Sequence, residues 1–294
     1  MKSKIQTILV TGADGQLGKE LHALAINFPT YQFIFTTKEK LAIDDLDAVG
    51  VFFSGHSIEY CINCAAYTAV DKAESEAELA FLVNAEATGN LAKVCKEHEV
   101  QFIHISTDYV FDGTAKQPYK ETDPTGTINV YAASKLKGEE LAIENDPSSI
   151  IIRTSWLYSS FNNNFVKTML RLMKEKKSIS VVNDQLGSPT YAADLAAAIM
   201  KIITASRRKK KQGIYHYCNE GAITWYEFAL MIKNLSGSKC TVNPIPTSGY
   251  PTAAKRPQYS VLDTKKIQQT FNIEIPAWAD SLKICLEKIK STGL

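Results

Sequence analysis

The stretch KIQTILVTGADGQLGKELHAL, Lys4 to Leu24, decides the fold. Its apolar run through Ile8, Leu9 and Val10 is a buried strand, and the leucines at 17, 21 and 24 recur at helical spacing. Between them Gly12, Gly15 and Gly18 leave backbone amides bare around Asp14, Gln16 and Leu17. A strand, a glycine turn and a helix N-terminus together form a cradle for a pyrophosphate, because free amides and the helix dipole both favour negative charge. The spacing is G-x-x-G-x-x-G, one residue wider than the common dinucleotide pattern.

Outward from that turn, strands and helices alternate. YQFIFTT (31–37), IEYCINCAA (58–66), VQFIHIST (100–107) and SIIIRTS (149–155) read as strands. DDLDAVGVFFSG (44–55), residues 72–97 and residues 131–144 read as helices. Near-continuous apolar strands separated by helices belong to a parallel sheet covered on both faces. The expected architecture is therefore α/β, a doubly wound Rossmann-type parallel sheet with a smaller, discontinuous C-terminal substrate-binding domain. Residues 1–155 make the dinucleotide-binding domain, with 178–218 returning to it. Residues 156–177 and 219–294 make the substrate domain, and the proline-rich CTVNPIPTSGYPTAAKRPQYSVLD (240–263) reads as an irregular lid.

The whole chain narrows the function classes. Its 294 residues are 45% apolar and carry 33 basic against 31 acidic groups, for a net charge of +2. That balance creates no field for nucleic acid or a membrane surface. No apolar run approaches a bilayer span, and the basic tip leads straight into a strand, so a cytoplasmic protein is expected. The run RRKKK at Arg207–Lys211 reads as a solvated loop. Six scattered cysteines read as reduced thiols, and CINC (Cys61, Cys64) lacks the second pair that a zinc site needs. Five separated histidines read as packing or surface groups.

Chemistry enters with VYAASK. Tyr131 and Lys135 are four apart and share a helix face, so an ammonium can stand beside a phenol and ease its ionisation. Thr107 adds a hydroxyl for a carbonyl oxygen. For the cofactor, Thr37 and Lys38 stand where an acid would bind ribose hydroxyls. A base there suits a 2′-phosphate, which favours NADPH while leaving NADH open. Asn63, Ala65 and Ala66, small residues at the end of the third strand, let a cofactor lie against the backbone, followed by Tyr67.

The set TGADGQLG, NCAAYTAVDKAE (63–74), STDYVFDG (106–113), NVYAASKLKGEE (129–140), RTSWLY (153–158), NNFVKTMLRL (163–172), NDQLGSPTYAADLA (183–196) and RPQYSVLD (256–263) resembles the extended short-chain dehydrogenase/reductases. Within them it resembles the dTDP-4-dehydrorhamnose reductase family, nearly end to end. The resemblance implies NADPH- or NADH-dependent reduction of the C4 ketone of dTDP-4-dehydro-L-rhamnose. Thr107, Tyr131 and Lys135 would be the catalytic triad, with Lys135 also holding the nicotinamide ribose and Ile43 packing near the adenine. Thr68, Val70, Asp108, Tyr109 and Trp156 would contact the dTDP-sugar, and Arg256 would clamp its diphosphate. Some members dimerise through magnesium-binding glutamates. Here Glu20 is present but Tyr191–Asp194 is acid-poor, so no metal is expected and a homodimer stays open. The alternatives are a reductase or epimerase of another nucleotide-sugar, or a regulatory subunit of methionine adenosyltransferase. A 4,6-dehydratase is disfavoured because Tyr109, not a glutamate, follows Asp108.

Overall fold

The computed structural model describes residues 5–206 and 211–291. Apart from Lys211, the RRKKK run lies outside the described residues. Six parallel strands form the central sheet in the order β2-β1-β3-β4-β5-β10. These are β1 (Gln6–Thr11), β2 (Tyr31–Thr36), β3 (Tyr60–Asn63), β4 (Gln101–Thr107), β5 (Ile150–Thr154) and β10 (Gly213–His216). The chain runs from β1 to β2 on one side, then crosses to β3 on the other. The order therefore reverses between β1 and β3, where a crevice opens at the strands' carboxyl ends.

Alternation along each strand feeds two cores. Ile8, Val10, Ile62, Ile103 and Ile152 face α1 (Gln16–Leu24), α8 (Ala192–Ser206) and α10 (Lys265–Phe271). Leu9, Cys61, Phe102 and Ile151 face α2 (Leu46–Gly55), α5 (Ala87–Glu97) and α6 (Val130–Asn145). Strand periodicity thus buries both faces.

A third core lies outside the sheet. It joins α7 (Phe165–Glu175), α9 (Trp225–Ser236) and α11 (Trp278–Ser291) to β7 (Ser178–Val182) and β12 (Thr241–Ile245). The two strands pair in parallel. Short two-residue strands β6 (Leu157–Tyr158), β8 (Leu186–Gly187), β9 (Thr190–Tyr191) and β11 (Ile223–Thr224) tie the crossings. The expected lid segment is thus partly regular. Pro244 is tolerated there because β12 pairs on one side only, with β7. Ile179 and Val181 pack in the third core, while Ile267 and Phe271 of the C-terminal part pack under the sheet.

The expected helix over 72–97 is broken into α3 (Val70–Ala73), α4 (Ala77–Phe81), a π-helical turn (Leu82–Glu86) and α5. Asn84 anchors the π-helical turn. Its Oδ1 accepts from the Tyr67 backbone N–H (2.8 Å), and its Nδ2 donates to the Tyr67 carbonyl (3.0 Å) and the Ser134 hydroxyl (3.0 Å). Such widened turns are frequent beside functional sites.

Helix α6 is held at its start and at its middle. Asn129 caps it, accepting from Ala132 N at 2.7 Å. Further along, Glu139 receives Arg153 of β5 through Nε and Nη2 (2.7–3.1 Å) and is also bonded by the Ser106 hydroxyl. Both side chains are about 97% buried or more (relative exposure 3% and 2%). Removing one member of such a pair strands the other charge, which costs about 3–5 kcal/mol. Arg153→Met is therefore expected to lower urea-measured stability by roughly that amount. The double variant with Glu139→Met should regain most of the loss; equal loss in both would remove the ion pair from this account.

Candidate active site

A cleft of about 780 Å³ lies over the carboxyl ends of β1, β3, β4 and β5. Gly12, Asp14, Gly15, Gln16, Leu17 and Gly18 line one end, with Lys38, Ile43, Ala65, Ala66 and Tyr67 beside them. Thr107, Tyr131 and Lys135 sit in the middle, and Thr68, Val70, Asp108, Tyr109 and Trp156 continue the wall. Three expected residues are not in the lining. Thr37 closes the turn after β2, its carbonyl accepting from Lys40 and Leu41. Asn63 is fully buried behind the wall. Arg256 is held by Asp71 in a two-pronged pair (3.0 and 2.7 Å) that also draws the Asp71 carboxyl below its ordinary range.

The glycine turn fits a dinucleotide. Gly12 has φ +62°, and a Cβ on it would stand 2.6 Å from the Ala65 nitrogen. One on Gly18 would meet the Gly12 carbonyl at 2.6 Å, so helix and strand approach only without side chains there. Helix α1 begins at Gln16 after Gly15, which offers no side-chain cap and leaves the first amides for an anion. A loop from beyond β6 latches onto this turn: Asn162 donates to the Asp14 carbonyl (2.7 Å) and Asn164 to the Gln16 side chain (3.0 Å).

At the centre, the Thr107 hydroxyl donates to Asp108 Oδ1 (3.1 Å) and accepts from the Tyr109 N–H (3.2 Å). Burial pushes the Tyr131 phenol up to about 12, against a hydrogen bond with Thr107 that pulls it down. The Tyr109 ring meets Tyr131 edge-on at 6.0 Å. Burial also brings Lys135 down to about 8, opposed by the nearby Glu139 and Cys64. Lys135 is 2% exposed and turns to His104 Nε2 (3.0 Å) and the Ile105 carbonyl (2.7 Å) of β4.

Several lining groups were invisible to local reading. Trp225 stacks on Trp156 with ring centres 3.5 Å apart and planes 8° from parallel. Both face the cleft, yet they come from different elements. Leu79 enters from α4, Val83 from the widened turn, and Asn162 through its latch. His104 had one available signal, its place in the strand that ends at Thr107. The six cysteines are free thiols. Glu20 is buried, bonded by the Ser159 hydroxyl (2.6 Å) and facing Lys288 (3.8 Å). No cluster of metal ligands and no membrane-spanning helix occurs among the described residues.

Asp108 is 2% exposed, and burial raises its carboxyl to about 7. Unfolded, the same group ionises near about 3.9. The folded chain holds this proton after the unfolded chain has lost it. The stability Asp108 contributes is thus greatest below the unfolded value and is lost as pH rises toward 7. Asp108→Asn removes that slope, so its stability relative to wild type should rise between pH 4.5 and pH 8. Denaturant titrations at the two pH values check this, and a constant difference would contradict it.

Residues 6–291 match the family model described as the RmlD substrate binding domain. A dTDP-4-dehydrorhamnose reductase of Aggregatibacter actinomycetemcomitans is 42% identical over 286 residues, covering 94% of this chain and 97% of that protein. A crystal structure described as a dTDP-4-dehydrorhamnose reductase from Clostridium acetobutylicum superposes with TM-score 0.92 at 38% identity, over 97% of this chain and 100% of its own. One from Bacillus anthracis, in complex with NADP, gives 0.92 and 38% over 96% and 99%. With matches this long on both sides, the chain belongs to the dTDP-4-dehydrorhamnose reductase family.

Proposed function

We propose that this protein reduces the C4 ketone of dTDP-4-dehydro-L-rhamnose to dTDP-L-rhamnose with NADPH. The observation that carries the reading is the meeting of Thr107, Tyr131 and Lys135 in one cleft with the glycine turn of β1. The NADP complex of the Bacillus anthracis relative supports the cofactor, as does Lys38 at the ribose end. NADPH, when bound, supplies the hydride. Asp14, Gln16 and Leu17 with the three glycines hold the pyrophosphate, while Ile43, Ala65, Ala66 and Tyr67 bound the remaining cofactor surface.

Proton handling falls to Tyr131. A phenol raised to about 12 keeps its proton until the ketone oxygen turns basic, then gives it up, so carbon gains hydride and oxygen gains a proton. Thr107 donates to the same oxygen and steadies its growing charge. Lys135 holds the ribose. Thr68, Val70, Asp108, Tyr109 and Trp156 contact the sugar nucleotide, and Arg256 meets its diphosphate by exchanging Asp71 for phosphate oxygens.

Absorbance of the nicotinamide during incubation with the 4-keto sugar, with NMR of the product, tests the assignment. One NADPH consumed per dTDP-L-rhamnose formed is the expected result. Product without net oxidation would mean epimerisation instead. Tyr131→Phe should lower turnover by roughly 10²–10⁴-fold and leave cofactor binding nearly intact; unchanged turnover would remove Tyr131 from the acid role. Lys38→Ala should weaken NADPH more than NADH, and equal weakening would defeat the 2′-phosphate contact.

A further inference from the structure

A buried chain of four side chains leads from β1 to Lys135. Thr11 Oγ1 stands 2.7 Å from Asn63 Oδ1, Asn63 Nδ2 3.1 Å from His104 Nδ1, and His104 Nε2 3.0 Å from Lys135 Nζ. Thr11, Asn63 and His104 are fully buried.

The proton on each atom can be counted. Oδ1 of Asn63 also receives the backbone N–H of Ala65 at 3.2 Å. A backbone amide only donates, so the carbonyl end of Asn63 faces Ala65 and Thr11, and the NH₂ end faces His104. His104 Nδ1 must then accept. Burial holds this imidazole well below its ordinary range, so it is neutral and carries one proton, on Nε2. That proton points at Lys135 Nζ. An ammonium has three donors and no lone pair and would oppose it; an amine can accept it and still donate to the Ile105 carbonyl at 2.7 Å.

We propose that His104 is a positioning residue that, held in its Nε2–H tautomer by Asn63, disfavours the ammonium form of Lys135 in the cofactor-free enzyme. An ammonium at Lys135 is better met when the proton of His104 moves to Nδ1, against the Asn63 NH₂. Asn63 must then turn and release Ala65, which lines the cofactor cleft. The charge on Lys135 and the backbone at Ala65 are thereby linked.

Other groups around Lys135 act in the same balance. Glu139, one turn further along α6, favours the ammonium but is already bonded by Arg153 of β5. Cys64, after β3, favours it too, while its own thiol is driven up by burial. Tyr131, one turn back, holds its proton. Burial opposes all of these and brings Lys135 down.

The inference rests on the reading of Lys135 as an active-site residue, but its test uses cofactor-free protein and no turnover. Nitrogen NMR of labelled histidine reports the tautomer of His104, and the carbon shift beside Lys135 Nζ reports its titration. In wild type, Nε2 should carry the proton. Asn63→Asp is isosteric and offers His104 Nδ1 an acceptor, so the tautomer should reverse and the proton affinity of Lys135 rise at least about tenfold, one pH unit. His104→Gln, whose carbonyl can accept from an ammonium, should raise it as well and serves if the aspartate variant does not fold. An Nδ1–H tautomer in wild type, or a Lys135 titration unmoved by the substitutions, would overturn the proposal and leave ketone reduction untouched.

Discussion

The bond between Glu139 and Arg153 places the helix on which the proposed chemistry depends. A carboxylate inside the protein needs its guanidinium, because leaving it unpaired costs more than most single contacts return. Glu139 lies one turn beyond Lys135 and two beyond Tyr131, so anchoring it to β5 sets the height of both over the sheet. The Ser106 hydroxyl joins the same carboxylate from β4, the strand that ends at Thr107. One buried charge pair thus connects the strand bearing the threonine to the helix bearing the tyrosine and lysine.

A second constraint is steric. The approach of Gly12 to Ala65 brings the loops after β1 and β3 together where the strand order reverses. Asn63 stands just below, reaching Thr11 on one side and His104 on the other. The cradle for phosphate and the centre for proton handling therefore share a floor. Their geometries are coupled through side chains that never reach the cleft.

Local patterns in the chain reveal the parts of this arrangement that depend on local geometry. A glycine turn after an apolar strand needs no tertiary information, and a Tyr/Lys pair at helical spacing shares a face wherever the helix sits. What such spacing does not tell is where the lysine points: burial and the imidazole on β4 turn it from solvent toward the strand. Trp225 was out of reach for a related reason, since only the packing of α9 brings it against Trp156. The broken helix at 70–97 reads as continuous because most of its residues favour helix and no proline interrupts it. The widened turn at 82–86 holds Asn84, whose bonds reach Tyr67, seventeen positions away. Pro244 suggests irregular structure until the strand is known to lie at an edge.

The three tryptophans, Trp156, Trp225 and Trp278, all lie in or against the third core, and none belongs to the six-stranded sheet. The molecule is consequently lopsided in its optical properties. Indole emission reports the cleft wall and the C-terminal helices, whereas the nucleotide-binding sheet contributes only tyrosine signals such as those of Tyr60 and Tyr215. If the two halves loosen at different temperatures, a tryptophan melt records one of them, and far-ultraviolet dichroism is required to follow the other.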